Sequence, residues 1–159
     1  MTSKLKHYAK ETLYFIITMT IFANAISLYK SQDLNPSAFD LNSVIVSNDK
    51  KPILLHIWAT WCPTCKMEAG NIQRISEHFN VITIAVKSGT DKDIQKYMKE
   101  HDLNFKVIND GDGTLSAKLH INAFPTTIIY DSNKKSVFSE VGYTSTLGLW
   151  LRMLWAGMK

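Results

Sequence analysis

The sequence predicts one α/β domain, a central β-sheet flanked by helices, carried behind an apolar N-terminal helix. Three observations predict it. Residues 53–58, 81–86 and 126–130 are short, nearly uninterrupted aliphatic and β-branched runs, the composition of strands buried on both faces. Cys65, Ala69, Ile72, Ile75 and Phe79 recur at steps of four, three, three and four, which is one apolar stripe of a helix between two such strands. The 159 residues suffice for a single core with a short appendage, and no internal repeat is visible.

The appendage comes first. Residues 1–11 form a basic tail with Lys4, Lys6 and Lys10, followed by an uncharged stretch from Leu13 to Tyr29. As a helix this stretch reaches about 25 Å, close to the thickness of a bilayer core. Residues 12–29 are therefore expected to be a transmembrane signal anchor. Ala23-Asn24-Ala25 also fits the cleavage pattern of a signal peptide, although apolar character continues to Tyr29. Both readings export the domain, because lysines hold the N-terminus on the cytoplasmic side. The chain carries a net charge of +4, of which an excess of three lies in residues 1–30, so the folded part is nearly neutral and no nucleic-acid partner is indicated.

Residues 30–42 are polar and read as a linker, leaving 43–159 as the domain. Residues 44–46 suggest a first strand and 47–52 a turn. The 53–58 strand then runs into Trp61-Cys62-Pro63-Thr64-Cys65. Pro63 suits the first position of a helix, where its missing N–H is no loss. Cys62 thus sits at a helix N-terminus, where unpaired N–H groups and the helix dipole stabilise a thiolate. This makes Cys62 the nucleophile of disulfide exchange, with Cys65, one turn on, as the resolving thiol. A zinc site would need more ligands; there is no third cysteine, and the five histidines show no paired spacing. A Cu(I)-holding dithiol is a further alternative. Thr64's hydroxyl is expected near the Cys62 sulfur, and Trp61 and Trp58 are expected to pack and shield the pair.

Further on, residues 81–86 are a strand and Thr90 to Asp93 resembles a capping box with Asp in the last place. The helix it opens carries Ile94, Tyr97, Met98 and His101 on one face. Residues 105–108 are a strand, and 109–113 a turn into a helix with Leu115 and Leu119; that turn lacks the full ligand set of a calcium loop. Pro125 begins the strand 126–130, a hairpin turn follows at 131–135, and 136–141 is its return strand. The last helix, with Leu147, Leu149, Trp150, Leu151, Met153, Leu154 and Trp155, is apolar around most of its circumference.

Trp58-Ala59-Thr60-Trp61-Cys62-Pro63-Thr64-Cys65, followed by the strand-initial Pro125, resembles the thioredoxin superfamily over roughly residues 36–159. The resemblance implies a thioredoxin fold and a cis Phe124–Pro125 bond beside Cys62, where the backbone of Phe124 receives the substrate chain as an added strand. The interval between Cys62 and Pro125 is longer than in plain thioredoxin and implies an extra strand–helix unit, as in the exported, membrane-tethered TlpA/ResA-like branch. Within that branch the redox octapeptide is similar to cytochrome c maturation thioredoxins, which reduce apocytochrome cysteines, although Thr126 stands where those have Glu. The segments 87–89, 107–110 and 142–157 are more like the protein disulfide oxidoreductases of the suppressor-of-copper-sensitivity protein D type, and the longer match favours these.

His56 occupies the place, six before the first cysteine, where thioredoxin has a buried acid that assists proton transfer. It is expected either to take that proton or to be a neutral, hydrogen-bonded core histidine. Phe124 is bulkier than the family's usual residue before the proline, which narrows the substrates accepted. Glu68 stands at a spacing that recurs in the TlpA-like branch, and an exposed helical charge explains it equally. The resemblance implies a periplasmic thiol:disulfide oxidoreductase of the bacterial inner membrane with no cofactor beyond its cysteine pair. Its expected partners are cysteine-bearing proteins and a membrane electron-transferring thiol reductase, in a setting of copper tolerance.

Overall fold

A computed structural model describes residues 2–41 and 51–159, so the strand expected at 44–46 lies outside the described residues. Helix α1 (Thr2–Ser31) is longer than the apolar stretch alone, and its side chains from Leu13 to Tyr29 are almost all exposed. The stretch His7–Ser31 is long and apolar enough to cross a membrane. Its polar residues do not oppose this. Thr18 and Thr20 donate to Tyr14 O and Ile16 O, each at 2.8 Å, and Asn24 to Thr20 O at 2.7 Å, so each hydroxyl or amide donor is satisfied within the helix.

Five strands form one mixed sheet in the order β3-β2-β1-β4-β5: β1 (Ile53–Trp58), β2 (Asn80–Val86), β3 (Lys106–Asp110), β4 (Thr126–Tyr130) and β5 (Ser136–Val141). β1, β2 and β3 are parallel, while β4 is antiparallel to both β1 and β5. β1 is buried along its whole length, so its alternate residues feed two cores. Leu54 and Trp58 face a cluster with Ile72, Ile75, Leu149 and Met153, from α2 (Pro63–Ser76) and α5 (Thr146–Gly157). Ile53, Leu55 and Ile57 face the other, with Ile82, Ile84 and Ile128. This is the thioredoxin-type sheet expected from the sequence. Its extra unit is α3 (Asp91–Glu100) with β3, which forms the edge beside β2.

The stretch expected to be a linker is part of the packed unit. Phe39 and Leu41 are buried in the second core, Asn35 N–H donates to Leu119 O at 3.0 Å, and the Tyr130 hydroxyl donates to Pro36 O at 2.8 Å. Residues 35–41 thus pack against the sheet rather than standing clear of it. The apolar pair Phe39 and Leu41 is the physical reason, because burying two such side chains is worth roughly 1.5–3 kcal/mol each.

The turn chemistry follows the sequence closely. Thr90 and Asp93 form a complete capping box at α3. At residues 109–113 the Asp110 carboxylate accepts N–H groups of Leu115 and Ser116, at 3.0 and 2.9 Å, and so satisfies two free donors in the first turn of the short α4 (Thr114–Lys118), whose N-cap is Gly113.

Candidate active site

Cys62 is the N-cap of α2 and Pro63 its first residue, so the β1 strand delivers the cysteine to the end of the helix across the Ala59–Trp61 turn. Cys62 and Cys65 are joined as a disulfide with a Cα separation of 5.2 Å, and both are buried. The Cys65 N–H donates to Cys62 Sγ at 3.2 Å. On reduction the same N–H and the open end of the helix face a Cys62 thiolate, which is the electrostatic condition for a reactive cysteine. In the disulfide form the donor that reaches Cys62 Sγ is this backbone N–H, one residue beyond Thr64.

The peptide bond Phe124–Pro125 is cis. Pro125 O accepts the Gly142 N–H at 2.8 Å, and Gly142 has φ of +107°, a conformation open to glycine. The loop after β5 is thereby fastened to the proline. Trp61 lies edge-on to Phe124 with centroids 5.5 Å apart, and its indole N–H donates to Lys87 O at 3.1 Å. Trp61 is 56% exposed and roofs the site. Trp58 is a core residue, its indole donating to Thr83 Oγ1 at 3.0 Å and its ring against Tyr97 and Phe105.

His56 is buried on the α2 side of the sheet, with Nδ1 sharing a hydrogen bond with Thr127 Oγ1 at 3.0 Å. Burial pushes its pKa down to about 3, so the imidazole is neutral at physiological pH and too weakly basic to take a thiol proton. Of the two expectations for His56, the neutral core histidine is the one this environment favours. Between pH 6.5 and about 3 the unfolded chain binds a proton here that the folded chain does not, so stability falls on acidification through that window. His56→Asn, which keeps a polar group for Thr127 without titrating, is expected to flatten the slope by up to about 1.4 kcal/mol per pH unit. Urea unfolding of both proteins at pH 4 and pH 7 measures it; parallel slopes would remove this role.

Glu68 is the residue that the sequence left undecided. It is fully buried, one turn beyond Cys65 on the same face of α2. One carboxylate oxygen accepts the Thr144 N–H at 3.0 Å, and the other, Oε2, has no partner. Burial pushes its pKa up to about 8; the Thr144 N–H works against that shift and the charge of Glu140 adds to it. Thr144 also donates its hydroxyl to Glu140 Oε2 at 3.0 Å, and Glu140 pairs with Arg152. The signal was present in the helix pattern, since Cys65, Glu68, Ile72 and Ile75 are the buried residues of α2. A carboxyl on that stripe is a buried acid.

The chain is similar to known proteins along most of its length. A thioredoxin-like protein of Haemophilus influenzae is 27% identical over 166 residues, covering 96% of this chain and 97% of that one. The thiol:disulfide interchange protein DsbE of Escherichia coli strain K12 is 34% identical over 101 residues, covering 62% of this chain and about half (53%) of that protein. Among solved structures, a secreted Mycobacterium tuberculosis disulfide oxidoreductase homologous to E. coli DsbE superposes with a TM-score of 0.59 at 25% identity, covering 73% and 87% of the two chains. The AhpC/TSA family profile matches residues 24–137, from the end of α1 through β4 into β5, and the chain is therefore a member of the AhpC/TSA family.

Proposed function

We propose that the protein is a thiol-disulfide oxidoreductase, working as a reductase of protein disulfides through Cys62 and Cys65. The observation that carries this is the disulfide at the N-terminus of α2, whose neighbour Trp61 packs on Phe124 of the cis Phe124–Pro125 bond. Relatives named thiol:disulfide interchange proteins support it.

In the reduced protein the Cys62 thiolate attacks one sulfur of a substrate disulfide. The substrate S–S bond breaks, its other sulfur leaves as a thiolate and takes a proton, and a Cys62–substrate disulfide forms. Cys65 then gives its proton to the Glu68 carboxylate and attacks Cys62 Sγ. The substrate leaves as a dithiol and the Cys62–Cys65 disulfide remains, two electrons having passed to the substrate. Glu68 suits this step because its pKa near 8 is close to that of a thiol, so the transfer is nearly isoenergetic. Phe124 and Pro125 are the proposed substrate-binding backbone, with Trp61, Pro63 and Thr64 as its surroundings. α1 is the proposed anchor in the bacterial inner membrane, the domain lying on the periplasmic side, where a membrane thiol reductase re-reduces the pair. Reduction of apocytochrome cysteines is the second reading, proposed from the likeness of residues 58–65 to the cytochrome c maturation thioredoxins. Copper tolerance is the physiological setting proposed from the segments 87–89, 107–110 and 142–157.

The test is the reduction potential of the Cys62–Cys65 pair in the full chain in detergent, equilibrated against dithiothreitol or glutathione. A value near thioredoxin's, about −270 mV, is expected; one near about −120 mV, as for a strong oxidant, would turn the direction around.

A further inference from the structure

From the bonds that fix the loop 142–146, we infer that Asn71 is a positioning residue of the redox centre: its side-chain amide holds this loop against α2 so that the Thr144 N–H stays aimed at Glu68. The role rests on the proposed part of Glu68 as acceptor of the Cys65 proton.

Cys65, Glu68 and Asn71 follow one another at steps of three on α2, so Asn71 stands about one turn beyond the buried acid on nearly the same side of the helix. Its amide is fully engaged with one loop. Nδ2 donates to Thr144 O at 3.0 Å and to the Tyr143 hydroxyl at 3.1 Å, and Oδ1 accepts the Thr146 hydroxyl at 2.8 Å. Thr144 is pinned from the other side as well. Its hydroxyl donates to Glu140 Oε2 at 3.0 Å, and Glu140 is paired with Arg152. With its carbonyl held by Asn71 and its hydroxyl by Glu140, Thr144 can turn its N–H only toward Glu68, whose Oε1 it meets at 3.0 Å. The start of the loop is fastened too, Gly142 N–H donating to Pro125 O at 2.8 Å. The loop therefore joins the cis proline to the buried acid, and Asn71 clamps it from α2.

The aim of that N–H matters because it is what the ionised form of Glu68 has in place of water. The other carboxylate oxygen has no partner among the described residues. An N–H bonded to a carboxylate favours ionisation, and here it works against the upward push of burial, leaving the pKa at about 8. The charged groups around Glu68 are Glu140 on β5, which raises its pKa, and Arg152 on α5, which is bonded to Glu140; on α2 the titrating neighbour is Cys65 of the reduced protein. Asn71 is neutral, so replacing it alters the aim of the N–H and leaves the charges as they are. With the N–H turned away, Glu68 stays protonated to higher pH and is less often free to take the Cys65 proton.

The experiment titrates Glu68 in the full chain in detergent, with the disulfide intact so that neither cysteine titrates. The probe is the carboxyl signal of ¹³C-labelled glutamate, assigned by its loss in Glu68→Gln. Asn71→Leu keeps the volume and removes every hydrogen bond of the amide. It is expected to raise the midpoint by about one pH unit, and to slow resolution of the mixed disulfide several-fold around pH 8. Tyr143→Phe, which removes one exposed hydroxyl and leaves the bond to Thr144 O, is expected to titrate like the parent. Thr146→Ala removes one bond of the amide at the partly exposed start of α5 and is expected to raise the midpoint by less, which keeps the test open should Asn71→Leu fail to fold. A midpoint unchanged or lowered in these two variants overturns the inference, leaving Asn71 a structural clamp only. A raised midpoint with resolution at the parent rate leaves the clamp on Glu68 standing and removes Glu68 as the proton acceptor.

Discussion

Cys62→Ser is expected to lower disulfide exchange by several orders of magnitude, to the level of the buffer thiols alone, while Cys65→Ser leaves the first attack intact and stalls after it. The asymmetry follows from position. Cys62 is the N-cap and accepts the Cys65 N–H, so its sulfur is the one stabilised as a thiolate and, in the proposed mechanism, the one that meets substrate. A serine hydroxyl there is not ionised at neutral pH and does not attack sulfur. With Cys65 replaced, a substrate bound through Cys62 has no neighbouring thiol to release it, and the mixed disulfide accumulates. Non-reducing electrophoresis and intact mass of each variant incubated with a disulfide-bonded protein would read this directly. Mixed disulfide on the Cys62→Ser protein, carried by Cys65, would reverse the assignment of the two thiols.

The parts of the structure that local rules determine were legible in the sequence. β1 declared itself because a strand covered on both faces is apolar throughout, and all six of its residues are buried. α3 declared its own start, since Thr90 and Asp93 carry the capping chemistry within four residues. Asp110 was recognisable as a turn acid because a short run of Asn, Asp and Gly before an apolar helix has few other uses.

Other features depend on partners distant in sequence and were not legible. Asn35 to Leu41 look like a linker, and only the core built by β1, β2 and β4 makes a place for Phe39 and Leu41. His56 reads as a catalytic or a structural group equally well until Thr127, 71 residues away, is found on its Nδ1. The contact of Ser27 with Val141 spans 114 residues and joins an apolar helix to a sheet edge, so no pattern within either segment foretells it.

Glu68 carries the last prediction, in which stability and activity move in opposite directions. Its folded pKa of about 8 lies above the ordinary carboxylate value near 4.5. Between those two values the folded chain holds a proton that the unfolded chain has released, so unfolding free energy declines as pH rises from about 4.5 to about 8 and is level beyond. Glu68→Gln is neutral at every pH and keeps an oxygen for the Thr144 N–H, so it is expected to abolish that decline and to be more stable than the parent at pH 8, by on the order of a few kcal/mol. The same variant has no carboxylate to receive the Cys65 proton, and resolution of the mixed disulfide is expected to slow roughly 10²-fold, with the loss largest around pH 8, where Glu68 is substantially ionised and the thiol is still largely protonated. Denaturant unfolding across pH and stopped-flow Trp fluorescence of the resolving step measure the two effects on one pair of proteins. A merely structural carboxyl would change the first and leave the second untouched, whereas a proton acceptor held in a low-dielectric site changes both, because the burial that makes Glu68 costly to ionise is also what brings its pKa to that of a thiol.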